Sequence, residues 1–309
     1  MKERITRDQK TKELKQEYGS EVLSVRHRNI YLKRLKLDLP FHNNNQKSFF
    51  DQYENGDGKE LKDHFWKTHS SSRLCFEFFS WLANENGVSN IVFEKKLPGI
   101  RWSPKKPNMD VYIQRENTVY FIESKLTEKG KELTELPDSY YKEKGEAVDT
   151  NGSLIKSSIK DRYYNTGFDQ SIVKLCEIIK SKLTEAKRPV WLDIPQEIKH
   201  TIGIYFEITE NLKKYNGKDV VFYNLFYDFN DGNDEFAKFF FDTVQGIMKD
   251  ELQKKGFTGT YTYGYKTYQE AIEIIPERPA YGSDVIQQMH NCTNKDLINS
   301  FLNHQPIVW

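Results

Sequence analysis

Apolar residues fall along this chain in two rhythms, and the switches between them mark its elements. Over residues 73–84 they recur at helical spacing: Leu74, Phe78, Trp81 and Leu82 form one stripe, widened by Cys75 and Phe79. Ser70, Ser71 and Ser72 are residue types that cap such a helix, and Gly87 is one that ends it. Ile91, Val92 and Phe93 form a short strand-like run, followed by Lys95-Lys96 and a Pro98-Gly99 turn. Residues 110–114 and 118–126 are two runs rich in β-branched and aromatic side chains, and the residues between them suit a tight turn. Helical spacing returns over 168–186, with Ile172, Leu175, Cys176, Ile179 and Leu183 on one face. The continuous apolar run at 201–208 predicts a buried strand, and 220–229 another. A helix striped by Phe236, Phe239, Phe240, Val244 and Ile247 is predicted over 234–254. A tyrosine-rich strand is predicted within 256–268, and a helix over 284–304.

The hairpin at 110–126 carries charge where a strand pair usually carries none. If its turn centres on Glu116-Asn117, Arg115 faces Thr118, and the same register sets Asp110 opposite Glu123. Lys125, two residues beyond Glu123, projects from the same face. Two carboxylates and an ammonium at one end of an apolar hairpin are costly unless paired or used. Two nearby carboxylates are hard oxygen ligands that can bind Mg²⁺ while leaving positions for water and phosphate. A lysine beside them can orient a nucleophile or neutralise a phosphate. Glu-x-Lys also occurs at Glu13, Glu60, Glu94, Glu185 and Glu197, but only Glu123 combines a strand-like setting with an acid at the matching register position. A surface hairpin with an ordinary exposed ion pair is the structural alternative.

Composition narrows this picture. Charged residues make up 29% of 309, yet Lys+Arg (46) and Asp+Glu (45) nearly balance, so any nucleic-acid surface must be a local patch. The mean hydropathy is −0.76, and aromatic residues (14%) supply much of the apolar content. Cys75, Cys176 and Cys292 are far apart, which argues against a zinc site or a disulfide framework and suits a reducing cytoplasm. The seven histidines show no HxH or HExxH spacing, and no Walker A loop or dinucleotide fingerprint is present. The first residues lack an apolar targeting core and no window has the length of a membrane span, so a soluble cytoplasmic protein is expected.

Asp110, twelve intervening residues and Glu123-Ser124-Lys125 resemble the signature of the PD-(D/E)xK nuclease superfamily, although the Pro-Asp pair is split, with Pro107 three residues ahead of Asp110. The order helix, strand, hairpin, helix, strand over 70–210 also resembles the αβββαβ core of that superfamily, including bacterial proteins described as restriction endonucleases. The resemblance implies an α/β restriction-endonuclease-like core with a mixed central sheet flanked by helices, plus N- and C-terminal additions. It implies a Mg²⁺-dependent nuclease (Mn²⁺ substituting) hydrolysing DNA, with RNA not excluded and a homodimer admitted. By that resemblance Asp110 and Glu123 hold the metal, Lys125 assists the attacking water, and Glu77 on the first helix is an auxiliary acid and metal ligand. Gln170, at the start of the helix after the hairpin, is the auxiliary glutamine. Glu94 is the alternative upstream acid.

Three segments follow: a basic helical extension over 1–69, a core over 70–230, and a helical, tyrosine-rich part over 231–309 packed on the core. Arg101, Lys105 and Lys106 stand near the mouth of the expected site, and the long polar connection over 126–167 carries Lys160 and Arg162 among tyrosines. These five are candidate phosphate contacts. The competing functional reading is a non-catalytic module that keeps the fold and binds nucleic acid or a partner; an unrelated α/β protein matching by chance is the third.

Overall fold

The computed structural model describes residues 12, 16, 52–53, 60–61, 64–67, 70–79, 88–98, 106–125, 132–133, 136, 168–186, 190–226 and 234–267. Its centre is a five-stranded mixed sheet. The strands are β1 (Val88–Lys96), β2 (Asn108–Arg115), β3 (Thr118–Lys125), β6 (Asp219–Phe226) and β7 (Thr260–Thr267), and they lie side by side in that order. β1, β2 and β3 are antiparallel neighbours, whereas β3–β6 and β6–β7 are parallel. A two-stranded piece pairs β4 (Glu132–Leu133) with β5 (Val190–Trp191).

The β2–β3 hairpin has the register its sequence predicts, running from Arg115 opposite Thr118 to Val111 opposite Ile122. Glu116 takes the left-handed backbone (φ 49°) that closes so short a turn. Alternation along the strands then divides the side chains between two faces. One face carries Phe121, Phe222 and Tyr263, which sit in register across β3, β6 and β7, and Tyr263 stacks flat on Phe222 at 4.3 Å. It shares the main core with helices α2 (Asp169–Ala186), α3 (Ile194–Glu210) and α5 (Asp234–Lys254). The other face carries Phe93, which packs on Phe76 of helix α1 (Ser71–Phe79) and on Tyr53. α1 begins at the expected serines: the Arg73 amide donates to Ser70 Oγ at 3.1 Å. Cys75 and Cys176 are buried free thiols.

One element differs from expectation. Residues 201–208 are not a strand but the interior of α3, and the strand after the hairpin is β6. Asp193 caps α3 by accepting from the Gln196 amide, and Pro195 occupies its first turn. Ile194, Glu197, Ile198, Thr201, Ile202, Tyr205 and Ile208 are buried at helical spacing, so the apolar run is half of a longer amphipathic pattern that starts seven residues earlier. A short helix, α4 (Leu212–Tyr215), then leads into β6.

The expected helix over 234–254 is α5, and β7 lies within the tyrosine-rich 256–268. Both join the sheet and core described above, rather than a separate body. Among the described residues no helix is long and apolar enough to cross a membrane. The expected helix over 284–304 and most of the N-terminal extension lie outside the described residues.

Candidate functional site

β3 ends with Glu123, Ser124 and Lys125, next to the parallel strand β6, and ligand sites of α/β sheets favour such carboxyl ends. Asp110 follows directly on the last paired position of β2. Its Oδ2 accepts from the Ser124 amide at 2.6 Å, which fixes the carboxyl against β3. Glu123 is 1% exposed. Its Oε1 lies 2.6 Å from Lys125 Nζ and accepts from Gln196 Nε2 at 2.8 Å. Its Oε2 lies 3.7 Å from His200 Nδ1, and neither atom forms a hydrogen bond. Burial lowers the His200 pKa, so the imidazole is neutral near pH 7 and this contact is not an ion pair.

These groups border a polar cavity of about 260 Å³. Glu94, Asn108, Asp110, Glu123 and Lys125 line it from the sheet, and Gln196 from α3. Glu60, His64, Lys67 and Ser70, from the segment that leads into α1, and Ser71 and Ser72, from its first turn, complete it. Negative charge is crowded here. Burial pushes the Asp110 carboxyl well above the usual range, and the charges of Glu123 and Glu94 add to the shift against the pull of Lys125. Glu94 sits in β1 with a left-handed backbone (φ 50°), a conformation costly for a residue with a side chain.

A second polar layer lies behind Glu123. Asn224 is its register partner on β6, and Glu197 of α3 reaches the same place. Glu197 Oε2 accepts from Asn224 Nδ2 at 2.9 Å and from Tyr263 OH at 2.5 Å. Burial, with Glu123 nearby, raises the Glu197 carboxyl to about 7 despite these donors.

Of the residues expected from sequence, Asp110, Glu123 and Lys125 come together, and the alternative acid Glu94 joins them. Glu77 lies on α1, but its side chain is outside what the structure describes. Gln170 is exposed in the first turn of α2 and does not line the cavity; the glutamine that reaches Glu123 is Gln196, from α3. Lys106 is exposed and also absent from the lining, while Arg101, Lys105, Lys160 and Arg162 lie outside the described residues. Sequence reading missed Gln196, His200, His64 and Lys67, and passed over Glu60, which also lines the cavity. For the first two a signal existed: after the Asp193-Ile194-Pro195 start, Gln196 and His200 stand four apart on one helix face.

No protein-family model, curated protein or solved structure matches this chain. Function must therefore be argued from the site.

Among the described residues no group of three or more His, Cys, Asp or Glu side chains is gathered to hold a metal ion alone. That does not disqualify Mg²⁺, which is commonly bound through one or two carboxylates plus waters and substrate phosphates. The donors present suit it. Asp110 and Glu123 offer hard oxygens, and Glu123 Oε2 and Asn108 Oδ1 accept no hydrogen bond.

Proposed function

We propose that this protein is a Mg²⁺-dependent nuclease with a restriction-endonuclease-like core, acting on DNA. The observation that carries the reading is the convergence of Asp110, Glu123 and Lys125 on one polar cavity at the end of the β2–β3 hairpin, with Lys125 held 2.6 Å from Glu123. The element order α1, β1, β2, β3, α2, β6 supports it: this is αβββαβ once the short pair β4–β5, α3 and α4 are treated as insertions.

Asp110 and Glu123 are the residues that would hold the ion, with Mn²⁺ able to substitute. Bound there, the metal supplies a more acidic water and a counter-charge for the phosphate. The protein's own groups do the positioning. The Ser124 amide fixes Asp110, while Gln196 and Lys125 both grip Glu123 Oε1, which selects one rotamer of the carboxylate and leaves Oε2 uncommitted. Lys125 is 20% exposed at its side chain, open enough to direct its ammonium at an attacking water or a phosphate oxygen.

Supercoiled and linear DNA incubated with Mg²⁺ or Mn²⁺ test this reading. Wild type is expected to cut, and Asp110→Asn and Lys125→Ala to lose at least about 100-fold of the rate while remaining folded. Equal cutting by all three proteins sinks the assignment. DNA binding without cutting, equal in wild type and Lys125→Ala, supports the non-catalytic binding module instead.

A further inference from the structure

We propose that the segment leading into α1 makes the cavity a phosphate subsite, in which the Lys67 ammonium and the His64 imidazole hold a phosphate group of the polynucleotide. This rests on the nuclease reading for its role, and it identifies residues of the same site beyond the carboxylates and Lys125.

The argument begins with how that segment is held. Phe65 and Trp66 are buried, 0% and 8% exposed. Phe65 packs edge-on against Tyr53 at 5.4 Å and Phe76 at 6.0 Å, with Trp66 against it at 5.1 Å. Backbone bonds tighten the turn: Phe65 N to Glu60 O, Lys67 N to His64 O and Ser70 N to Lys67 O. Trp66 Nε1 donates to Leu61 O at 2.8 Å. The aromatic pair is thus fixed in the apolar layer that covers the sheet, and its two chain neighbours, His64 and Lys67, are the residues that line the cavity. A buried anchor flanked by polar residues at a cavity is an arrangement for presenting those side chains.

Charge decides what they present to. Lys125 shares its ammonium with Glu123 at 2.6 Å, so a second cation strengthens the hold on a phosphate group. Among the described residues Lys67 forms no ion pair. Glu60, the acid on the same segment, is engaged by the Ser72 hydroxyl at 3.0 Å. A lysine ammonium and an imidazole N–H are both donors suited to phosphate oxygens. Size limits the occupant. At about 260 Å³ the cavity falls below the range of sites that enclose drug-sized ligands, and it suits one phosphate with its sugar rather than a stack of bases.

Binding of thymidine 5′-phosphate, measured calorimetrically at low salt with Mg²⁺ present to offset the carboxylates, tests the subsite apart from any cleavage, since a mononucleotide holds no phosphodiester bond to cut. Wild type should bind it at least about 10-fold more tightly than thymidine, Lys67→Ala should lose about 10-fold, and His64→Ala a smaller factor. No preference for the phosphate in wild type, or unchanged binding in Lys67→Ala, overturns the proposal. Oligonucleotides with 5′-phosphate or 5′-hydroxyl ends identify the source. A Lys67-dependent preference for the phosphorylated end marks a terminal phosphate, and Lys67-dependent binding of both marks an internal phosphodiester. If wild type cuts DNA but Lys67→Ala binds the nucleotide unchanged, the subsite alone fails. If the nucleotide binds through Lys67 and nothing is cut, the subsite stands and the nuclease reading fails.

Discussion

At the scale of single residues, Asp110 and Glu197 are buried acids whose folded forms hold their protons to higher pH than the unfolded chain does. The folded protein therefore binds more protons than the unfolded one above the ordinary carboxyl range. Each group's contribution is favourable below that range and is lost as pH rises through its raised value. For Asp110, Asn keeps an acceptor for the Ser124 amide and removes the charge. Asp110→Asn should be more stable than wild type at pH 8, with the gain vanishing near pH 4, as read by urea unfolding. Mg²⁺ should raise the wild-type melting temperature at pH 8 and leave that of the variant unchanged. For Glu197, the shift to about 7 corresponds to about 3 kcal/mol. Glu197→Gln retains an acceptor for Tyr263 and Asn224, so its advantage over wild type should grow from pH 4.5 to about 7 and then level off. A constant difference across that range would show that Glu197 does not titrate as its surroundings dictate. Asp110 and Glu123 were readable from sequence because hairpin register is arithmetic. Glu197 was not, because nothing local tells a helical Glu-x-Lys facing solvent from one facing Asn224 and Tyr263.

At the scale of elements, α3 controls the site, since Gln196, Glu197 and His200 all come from its first two turns. Its seating depends on a close approach. A Cβ at Gly203 would lie 2.9 Å from Leu97 Cβ and 2.9 Å from Pro107 Cγ, beside the start of the strand that carries Asp110. Gly203→Ala should therefore cost about 1–3 kcal/mol of stability rather than gain helix propensity. It should also weaken the grip of Gln196 on Glu123, seen as a shift of the Gln196 carboxamide resonances in a ¹H–¹⁵N spectrum. Unchanged stability would mean that α3 is free to move outward. Farther along, Glu207 Oε1 accepts from Tyr215 OH at 2.8 Å and lies within 3.6 Å of Lys95 and Lys214, tying α3 to β1 and α4. The misreading of α3 has a physical source. Isoleucines and a tyrosine around a glycine favour a strand by propensity, whereas the capping residues and polar positions that decide the matter lie before the run, not within it. The same boundary hid Gln196 and made Gln170 the visible glutamine.

Over the whole molecule, the α/β class was legible because the periods alternate plainly, and the hairpin, α2, α5 and β7 fall near their expected places. The order of strands was not legible, since no local pattern states that β6 inserts between β3 and β7. That order separates the site's parts by very different lengths of chain. β2 and β3 meet across a two-residue turn, so Asp110 and Glu123 are joined by a local contact. Thr118 pairs in parallel with Asp219, and Gln196 reaches Glu123 from the intervening chain. Closing so long a loop costs more entropy than closing a hairpin and slows the search for the native pairing. During folding the two acids, with Lys125 beside them, can therefore meet before Gln196 arrives, and their mutual repulsion is borne by a hairpin that is still wet. On the proposed nuclease reading, competence comes last, with the docking of β6 and α3: a half-folded chain carries the paired acids without Gln196 on Glu123.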